Sequence, residues 1–311
     1  YYQIETEDIW GLKTKSNIIL GDFEHMIWGE TFSVYHTTKI DLSSNQISGI
    51  IPKSIGYLSN LTHLSLNANY LSGEIPSEIG ELKKLIFLDL SHNRKLNGEI
   101  PAEIGKIKHL QQLYINGTSL SGNIPINIYY LKKLTYLGLS DNKLSGHLPY
   151  EIGELVAIKY LNLWNNNFHG SIPTEISNLK SLRDLNLSEN NFSGKIPLEI
   201  GKLESLETLS LFNNSLNGSV PSNIKVLKNL TYLSLYNNNF KGDINAWLLD
   251  MVKLNYLRLD GNNFEGQIPT YLCDINLDIE NTEYFNFSGN NFCPPFPTCI
   301  KNNIGIQKKC E

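Results

Sequence analysis

A step of 24 residues recurs along almost the whole 311-residue chain. An asparagine marks the step most clearly, at positions Asn45, Asn69, Asn93, Asn142, Asn166, Asn190, Asn214, Asn238, Asn262 and Asn290. One extra residue enters near Arg94 and Lys95, after which Thr118 takes the asparagine position, and four extra residues enter before Asn290. A fixed period of this length indicates a solenoid, in which each coil packs only on its neighbours. The sequence therefore predicts about eleven stacked repeats.

Each repeat begins with a Leu-x-Leu pair, such as Leu64 with Leu66 or Leu161 with Leu163. Alternation with period two predicts a short strand with one buried face. Stacked coils place these strands in a parallel sheet, and the rest of each repeat forms the crossover that parallel strands require. The asparagine after the strand lies where the chain turns inward. We expect its amide to bond backbone groups of neighbouring coils, because buried backbone groups need partners.

A glycine follows the asparagine by four residues, as at Gly73 and Gly146, and an Ile-Pro pair follows the glycine. Nine of the twelve prolines occupy this one column of the repeat. Amphipathic helices are therefore excluded, because a glycine and a proline recur within the period. Proline suits the start of a turn on the convex side. We predict an α/β solenoid with a parallel concave β-sheet and short helical or 3-10 turns on its convex side.

The repeated pattern is L-x-x-L-x-L-x-x-N-x-L-S-G-x-I-P-x-x-I-G-x-L, nearly complete in residues 61–82 and 182–203. It resembles the plant-type class of extracellular leucine-rich repeats, which includes receptor-kinase ectodomains and polygalacturonase-inhibiting proteins. The resemblance covers about residues 37–292. It implies a right-handed superhelix of leucine-rich repeats, with a second short strand in the S/N-G-x-I-P segment of each repeat.

Two caps are expected around an array of residues 37–292. Residues 1–36 form the N-terminal cap, with Trp10 and Trp28 covering the exposed end of the core. Residues 293–311 form the C-terminal cap together with Cys273. All four cysteines lie in the last forty residues (Cys273, Cys293, Cys299 and Cys310). An even, clustered set indicates disulfides and an oxidising compartment, with three possible connectivities. Among these, the family resemblance favours the sequential pairs Cys273–Cys293 and Cys299–Cys310.

No catalytic motif is present, and we expect neither an enzyme nor a cofactor. Asp41 and Asp89 lie near His63 and His92, but the two carboxylates belong to strands roughly 10 Å apart, too far to share a metal. The net charge is only −5 and no Lys/Arg run occurs, so nucleic acid is not an expected partner. No apolar run is long enough to span a membrane.

Eight N-x-S/T sequons occur, against about five expected by chance from the Asn, Ser and Thr content. Asn116 and Asn186 are expected to project from concave strands, where a glycan would block the face. Asn60 and Asn229, each just before a strand, are the better glycosylation candidates.

Three residues of each strand are expected to face solvent on the concave side. In the later repeats these positions collect aromatic residues, which have no core role there and indicate a binding surface. The N-terminal repeats carry mostly small or charged residues, including Lys39, Ser65 and Gln112. We predict ligand binding by Tyr136, Tyr160, Asn162, Trp164, Asp184, Phe212, Tyr232, Tyr236, Tyr256 and Arg258.

The sequence thus favours a secreted or cell-surface recognition module, monomeric, that binds a protein, peptide or glycan on its concave face. By resemblance, a secreted inhibitor of a cell-wall hydrolase is the main alternative. A structural or adhesive spacer is a third possibility. Ice binding would require a flat, repeated Thr or Asn surface, whereas the column before Ile-Pro is irregular: Glu74, Glu99, Asn123, His147, Ser171 and Lys195.

Overall fold

The computed structural model describes residues 3–7, 13–17, 23–248, 251–275, 277–300 and 304–308. A continuous core of leucine, isoleucine and phenylalanine runs through the array. Leu161 and Leu163, the Leu-x-Leu pair of one central coil, are both fully buried. Because each coil has too few apolar residues to form its own core, it buries them against the coils above and below. The predicted leucine-rich-repeat solenoid is confirmed.

The Leu-x-Leu segments form one parallel sheet, which is eleven strands wide within the described residues. Its strands follow the order of the chain, each paired in parallel with the next. This concave sheet comprises Lys39–Asp41, His63–Ser65, Phe87–Asp89, Gln112–Tyr114, Tyr136–Gly138, Tyr160–Asn162, Asp184–Asn186, Thr208–Ser210, Tyr232–Ser234, Tyr256–Arg258 and Phe285–Asn286.

A second set of short parallel strands lies beside the concave sheet, as the resemblance implied. The first three lateral strands are Ser48–Gly49, Tyr70–Gly73 and Lys95–Leu96. The other eight are Ser121–Gly122, Lys143–Gly146, Asn167–Gly170, Asn191–Gly194, Ser215–Gly218, Asn239–Asp243, Asn263–Gly266 and Asn291–Phe292. Between the two groups only an isolated bridge joins Glu99 to Ser121. The break follows the extra residue near Arg94, because a one-residue insertion shifts the pairing register.

Short helical turns form the convex side, as predicted. The 3-10 turns described are Lys53–Tyr57, Ser77–Glu81, Ala102–Lys106, Tyr150–Glu154, Thr174–Asn178, Leu198–Lys202, Ser222–Val226 and Thr270–Asp274, and the single α-helical turns are Ile126–Tyr129 and Asn245–Leu248. The repeated proline precedes these turns, as Pro76 does with φ −68°. The repeated glycine has positive φ, for example 75° at Gly73, which explains why its column excludes side chains.

The asparagine column forms the expected hydrogen-bond ladder between coils. Asn190 donates its side-chain amide to the carbonyl oxygens of Leu163, Leu187 and Ser188 at 2.9, 3.2 and 3.0 Å. Its Oδ1 accepts the backbone N–H of Phe168 at 3.0 Å. One side chain therefore satisfies backbone groups of two successive coils at a buried turn, where water is absent.

The first coil is covered by an antiparallel hairpin of Glu24–Ile27 and Glu30–Ser33. Trp28 lies in its turn, packs against the end of the core and donates Nε1–H to the carbonyl oxygen of Ile50 at 3.3 Å. A second antiparallel pair joins Gln3–Glu7 to Lys13–Asn17. Trp10 lies outside the described residues.

The disulfide pattern corrects the expected one. Cys273 bonds Cys299, with a Cα–Cα distance of 5.8 Å, so both sequential pairs, Cys273–Cys293 and Cys299–Cys310, are wrong. Cys293 is also disulfide-bonded, whereas Cys310 lies outside the described residues. Cys293 follows the last lateral strand and its backbone N–H donates to Gly266, which directs this segment along the sheet. The contact of the Cys293 segment with the preceding repeat therefore bears on the disulfide pairing, which the lengths of the loops alone do not predict.

Candidate functional site

The strand register of the concave sheet aligns its outward positions in three rows that cross the strands. The first row contains Tyr136, Tyr160, Asp184, Thr208, Tyr232 and Tyr256. The second row is two residues further along each strand and includes Asn162, Asn186 and Arg258. The third row, again two residues on, includes Trp164, Ser188, Phe212, Tyr236 and Asp260. All ten predicted binding residues lie in these rows.

The C-terminal aromatic group consists of two stacked pairs and one further ring. Phe212 and Tyr236 lie nearly parallel, with ring centroids 4.4 Å apart and an interplanar angle of 7°. Tyr232 and Tyr256 stack at 3.9 Å and 15°. Tyr284 meets Tyr256 edge-on at 5.9 Å. Because stacked rings fix one another's orientation, this surface is ordered before a ligand arrives.

An N-terminal aromatic group, which the sequence did not lead us to expect, continues the first row toward the other end. His63 stacks on Phe87 at 6.1 Å, Phe87 meets Tyr114 at 5.6 Å, and Tyr114 stacks on Tyr136 at 4.3 Å. Tyr136 then contacts Tyr160 at 5.7 Å. The early repeats do carry mostly small or charged residues at their outward positions, but the rings of Phe87 and Tyr114 extend the aromatic surface further than we expected. Phe87 lies in the first row, as Tyr160 does. Tyr114 lies in the second row, but its ring contacts rings of the first row, and the repeat pattern of the sequence does not reveal that contact.

Some positions of the three rows are buried. Gly138 is one, since a Cβ built there would lie 2.8 Å from Cε1 of Tyr136 and 2.9 Å from Oδ1 of Asn116. The missing side chain thus makes room for the Tyr136 ring. Ser188 and Ser234 are fully buried as well. The large side chains of the three rows thus reach solvent as expected, whereas small residues such as Gly138, Ser188 and Ser234 are buried.

In the first and second rows the two aromatic groups are separated by a polar gap on two adjacent strands, Asp184–Asn186 and Thr208–Ser210, whereas Phe212 extends the C-terminal group over the second of these strands in the third row. Asp184 is half-buried there, and loss of solvent raises the pKa of its carboxyl group. The negative charge of Glu207 raises this pKa further, while a hydrogen bond from the Thr208 hydroxyl opposes the shift. Trp164, 37% exposed, borders the gap in the third row.

Arg258 is already engaged within the chain. Its Nε and Nη2 donate to the two carboxylate oxygens of Asp260 at 2.9 and 2.7 Å, and this bidentate pairing raises the pKa of its guanidinium. The guanidinium carbon also lies 4.1 Å from the ring centroid of Tyr236. Arg258, predicted as a ligand-binding residue, thus covers one face of Tyr236, and ligand binding by it stays a prediction.

The hydroxyl groups of Tyr136, Tyr232 and Tyr236 remain neutral over the physiological range. Burial raises the pKa of Tyr232, and its hydrogen bond with Tyr256 adds to that rise. Burial also raises the pKa of Tyr136 and Tyr236. These phenols therefore offer uncharged donors and acceptors beside apolar ring surface, a combination typical of recognition sites.

The two glycosylation candidates occupy the same position in different repeats and make the same contacts. Asn60 donates Nδ2–H to the carbonyl oxygen of Tyr35 at 2.9 Å, and its Oδ1 accepts Lys84 at 2.6 Å. Asn229 donates to Glu204 at 3.1 Å and accepts Lys253 at 3.0 Å. Glycan attachment at either residue stays a prediction.

Two other features bear on the class of protein. Across the part of the chain that the structure describes, no group of three or more His, Cys, Asp or Glu side chains has the geometry of a metal site. No helix among those residues is long and apolar enough to cross a membrane.

The known proteins most informative for this chain are plant receptor ectodomains. The plant peptide hormone receptor RGFR1, solved in complex with RGF2, is 33% identical with a TM-score of 0.72, over 88% of this chain and 47% of that chain. The Arabidopsis receptor kinase HAESA ectodomain, solved in complex with an IDA peptide hormone ligand, is 35% identical with a TM-score of 0.79, over 85% of this chain and 44% of that chain. The chain thus spans less than half of either receptor ectodomain.

A structure of more similar length is a plant ice-binding protein, 26% identical with a TM-score of 0.66, over 86% of this chain and 84% of that chain. A search of the curated proteins found no match.

Family models agree with the repeat analysis. The model described as a leucine-rich repeat region matches residues 94–188 and 137–288. A second, described as leucine rich repeat, matches residues 35–94. The chain therefore belongs to the leucine-rich-repeat family and carries repeats of the plant type.

Proposed function

We propose that this chain is an extracellular ligand-recognition module that binds an extended peptide across the rows of its concave face. The observation that carries the proposal is the ordered aromatic surface, in which two groups of contacting rings lie on the outward face of the sheet. Exposed aromatics of this kind concentrate binding energy. Eleven strands about 4.8 Å apart give a surface roughly 50 Å long, which suits an extended chain.

The arrangement of the rings favours a peptide over a glycan. A sugar stacks on an open ring face, but the faces of Phe212 and Tyr236 are turned toward each other and Arg258 lies over Tyr236. Both faces of Tyr236 are therefore covered, and this ring presents its edge and hydroxyl group, which suit apolar side chains and peptide amides. The ectodomains of RGFR1 and HAESA, solved with peptide hormones, support the same choice.

Other observations support an extracellular location and a binding function without catalysis. The disulfide between Cys273 and Cys299 is stable only in an oxidising compartment. Two carboxylates of the concave face are held within the chain: Asp260 pairs with Arg258, and Asp89 accepts the side-chain amide of Asn67 at 2.9 Å. We therefore propose binding without catalysis, by a monomer.

Selection from a displayed library of linear twelve-residue peptides tests the proposal. The intact chain is immobilised, and the affinity of the enriched peptides is then measured by fluorescence polarisation. We expect Phe212→Ala and Tyr232→Ala each to weaken binding by at least about 2 kcal/mol, or roughly thirty-fold. Tyr150→Ala is the matched control, because Tyr150 is 68% exposed on a convex turn.

The proposal fails if the concave variants bind like the wild type, or if Tyr150→Ala weakens binding as much as they do. Each variant is also melted, because these rings lie outside the core and their removal should leave the melting temperature nearly unchanged.

A further inference from the structure

The two aromatic groups face each other across a gap of defined width. In the first row the rings stop at Tyr160 and resume at Tyr232, with Asp184 and Thr208 between them. Three steps of about 4.8 Å separate Tyr160 from Tyr232, or roughly 14 Å. An extended peptide advances about 3.3 Å per residue, so about four residues cross the gap. A ligand that uses both groups must place its middle over Asp184.

Asp184 differs from the other carboxylates of the rows in its partners. The carboxylate of Asp89 accepts the Asn67 side chain and the Ser91 backbone N–H, both at 2.9 Å. The carboxylate of Asp260 is held by Arg258. Burial raises the pKa of Asp184, a hydrogen bond from the Thr208 hydroxyl lowers it and the charge of Glu207 raises it, so Asp184 has neither the two N–H donors of Asp89 nor the cation of Asp260. A half-buried carboxylate with a hydroxyl donor and no cation costs stability, which suggests that its counter-charge comes from outside the chain.

The face as a whole has the charge that such a ligand would complement. The three rows carry four carboxylates, at Asp41, Asp89, Asp184 and Asp260. They carry two cations, of which Arg258 is neutralised by Asp260 and Lys39 lies on the first strand, six strands from Asp184. Both Asp89 and Asp184 act on Tyr136, raising its pKa, so negative potential extends over the N-terminal aromatic group.

We infer that the ligand is a cationic extended peptide, in which a lysine or arginine pairs with Asp184 and apolar residues on either side contact the two aromatic groups. The inference rests on the proposed function and names the ligand class of the same surface. The apolar residues lie about four positions apart, with the basic residue between them. The basic residue of the ligand would supply the counter-ion that Asp184 lacks within the chain. The aromatic rings on either side would exclude water from this ion pair.

The same library selection tests this inference when the enriched peptides are sequenced. We expect a lysine or arginine between two apolar residues. One enriched peptide is then resynthesised with norleucine in place of the basic residue, and both versions are measured against wild type and Asp184→Asn. The variant should weaken binding of the basic peptide at least ten-fold and leave the norleucine peptide unchanged.

Two further variants make the result specific. Glu265→Gln removes one negative charge from an exposed site on a lateral strand and should leave both affinities unchanged. Asp184→Lys should bind a version of the peptide with a central glutamate better than the wild type does. A measured melting temperature for each variant separates loss of fold from loss of binding.

Failure of the inference differs from failure of the proposed function. Peptides that depend on Phe212 and Tyr232 but show no basic residue, and that bind Asp184→Asn normally, would overturn the inference and leave the proposed function standing. Peptides that ignore the aromatic residues, or no enrichment at all, would overturn both.

Discussion

Replacing one asparagine of the repeat ladder should destabilise the fold far more than replacing an exposed asparagine beside it. Asn238 donates Nδ2–H to the carbonyl oxygens of Leu211 and Leu235 at 2.9 and 3.2 Å, and its Oδ1 accepts Leu216 N–H at 3.0 Å. Asn238→Ala removes one partner from each of these groups. The carbonyl oxygens of Leu211 and Leu235 keep the side-chain amides of Asn214 and Asn262 as donors, so the Leu216 N–H is the buried group left unpaired. A third carbonyl, that of Tyr236, keeps the backbone N–H of Asn213 as a donor.

The magnitude follows from the number of groups left unpaired. Each buried unsatisfied backbone group costs about 1–3 kcal/mol, and partial relaxation of the turn recovers some of this. With one such group, we expect Asn238→Ala to lower the free energy of unfolding by about 1–3 kcal/mol. Asn238→Thr should cost less, because Thr118 occupies the same column and its hydroxyl bonds Asn142 and accepts Leu120 N–H.

Urea unfolding followed by circular dichroism measures the change, with Asn239→Ala as the matched control on the neighbouring exposed residue. Hydrogen exchange adds a local test, since the amide of Leu216 should lose protection while amides several coils away keep theirs. A loss below about 1 kcal/mol, or one equal to that of Asn239→Ala, would refute the assigned role of the ladder.

Three further predictions concern the core and the concave face. Leu161→Ala should destabilise the central coil by about 2–5 kcal/mol, with hydrogen-exchange protection lost mainly in adjacent coils. Asp184→Asn should raise the melting temperature at neutral pH, because the pKa of Asp184 is raised in the folded protein and its ionisation therefore costs stability. The gain in melting temperature should vanish below about pH 4, where the carboxyl group is protonated in both the folded and the unfolded protein. Gly138→Ala should displace the Tyr136 ring and weaken peptide binding several-fold while the melting temperature changes little, which a thermal scan and the polarisation assay check together.

The repeat period was enough to predict the coil, because each column of the repeat has one physical role. Asn190 bonds the backbone of the preceding coil through its side-chain amide, and Gly73 has a positive φ, as the repeat pattern predicted for these two columns. The residues that face the concave side followed from strand alternation alone. Period and alternation are properties of the local sequence, so the order of the amino acids is enough to reveal them.

Contacts between side chains of different coils could not be predicted in the same way. The ring of Tyr114 leans toward Tyr136, and the Tyr136 ring covers Gly138, because of rotamer choices that depend on neighbouring coils. The partner of Cys273 likewise depends on how the last coil directs the chain. The polar gap at Asp184 is defined by the aromatic groups on both sides of it. One of these, the N-terminal aromatic group, depends on the same rotamers, so the gap could not be predicted from the sequence.

Photo-crosslinking locates the ligand directly. An enriched peptide with benzophenone beside its central residue is irradiated on the intact chain, and the attachment points are mapped by mass spectrometry. We expect attachment in the concave strands around the gap, within Tyr160–Trp164, Asp184–Ser188 and Thr208–Phe212. Attachment confined to the lateral strands or to the convex turns would contradict the assignment of the concave face as the binding surface.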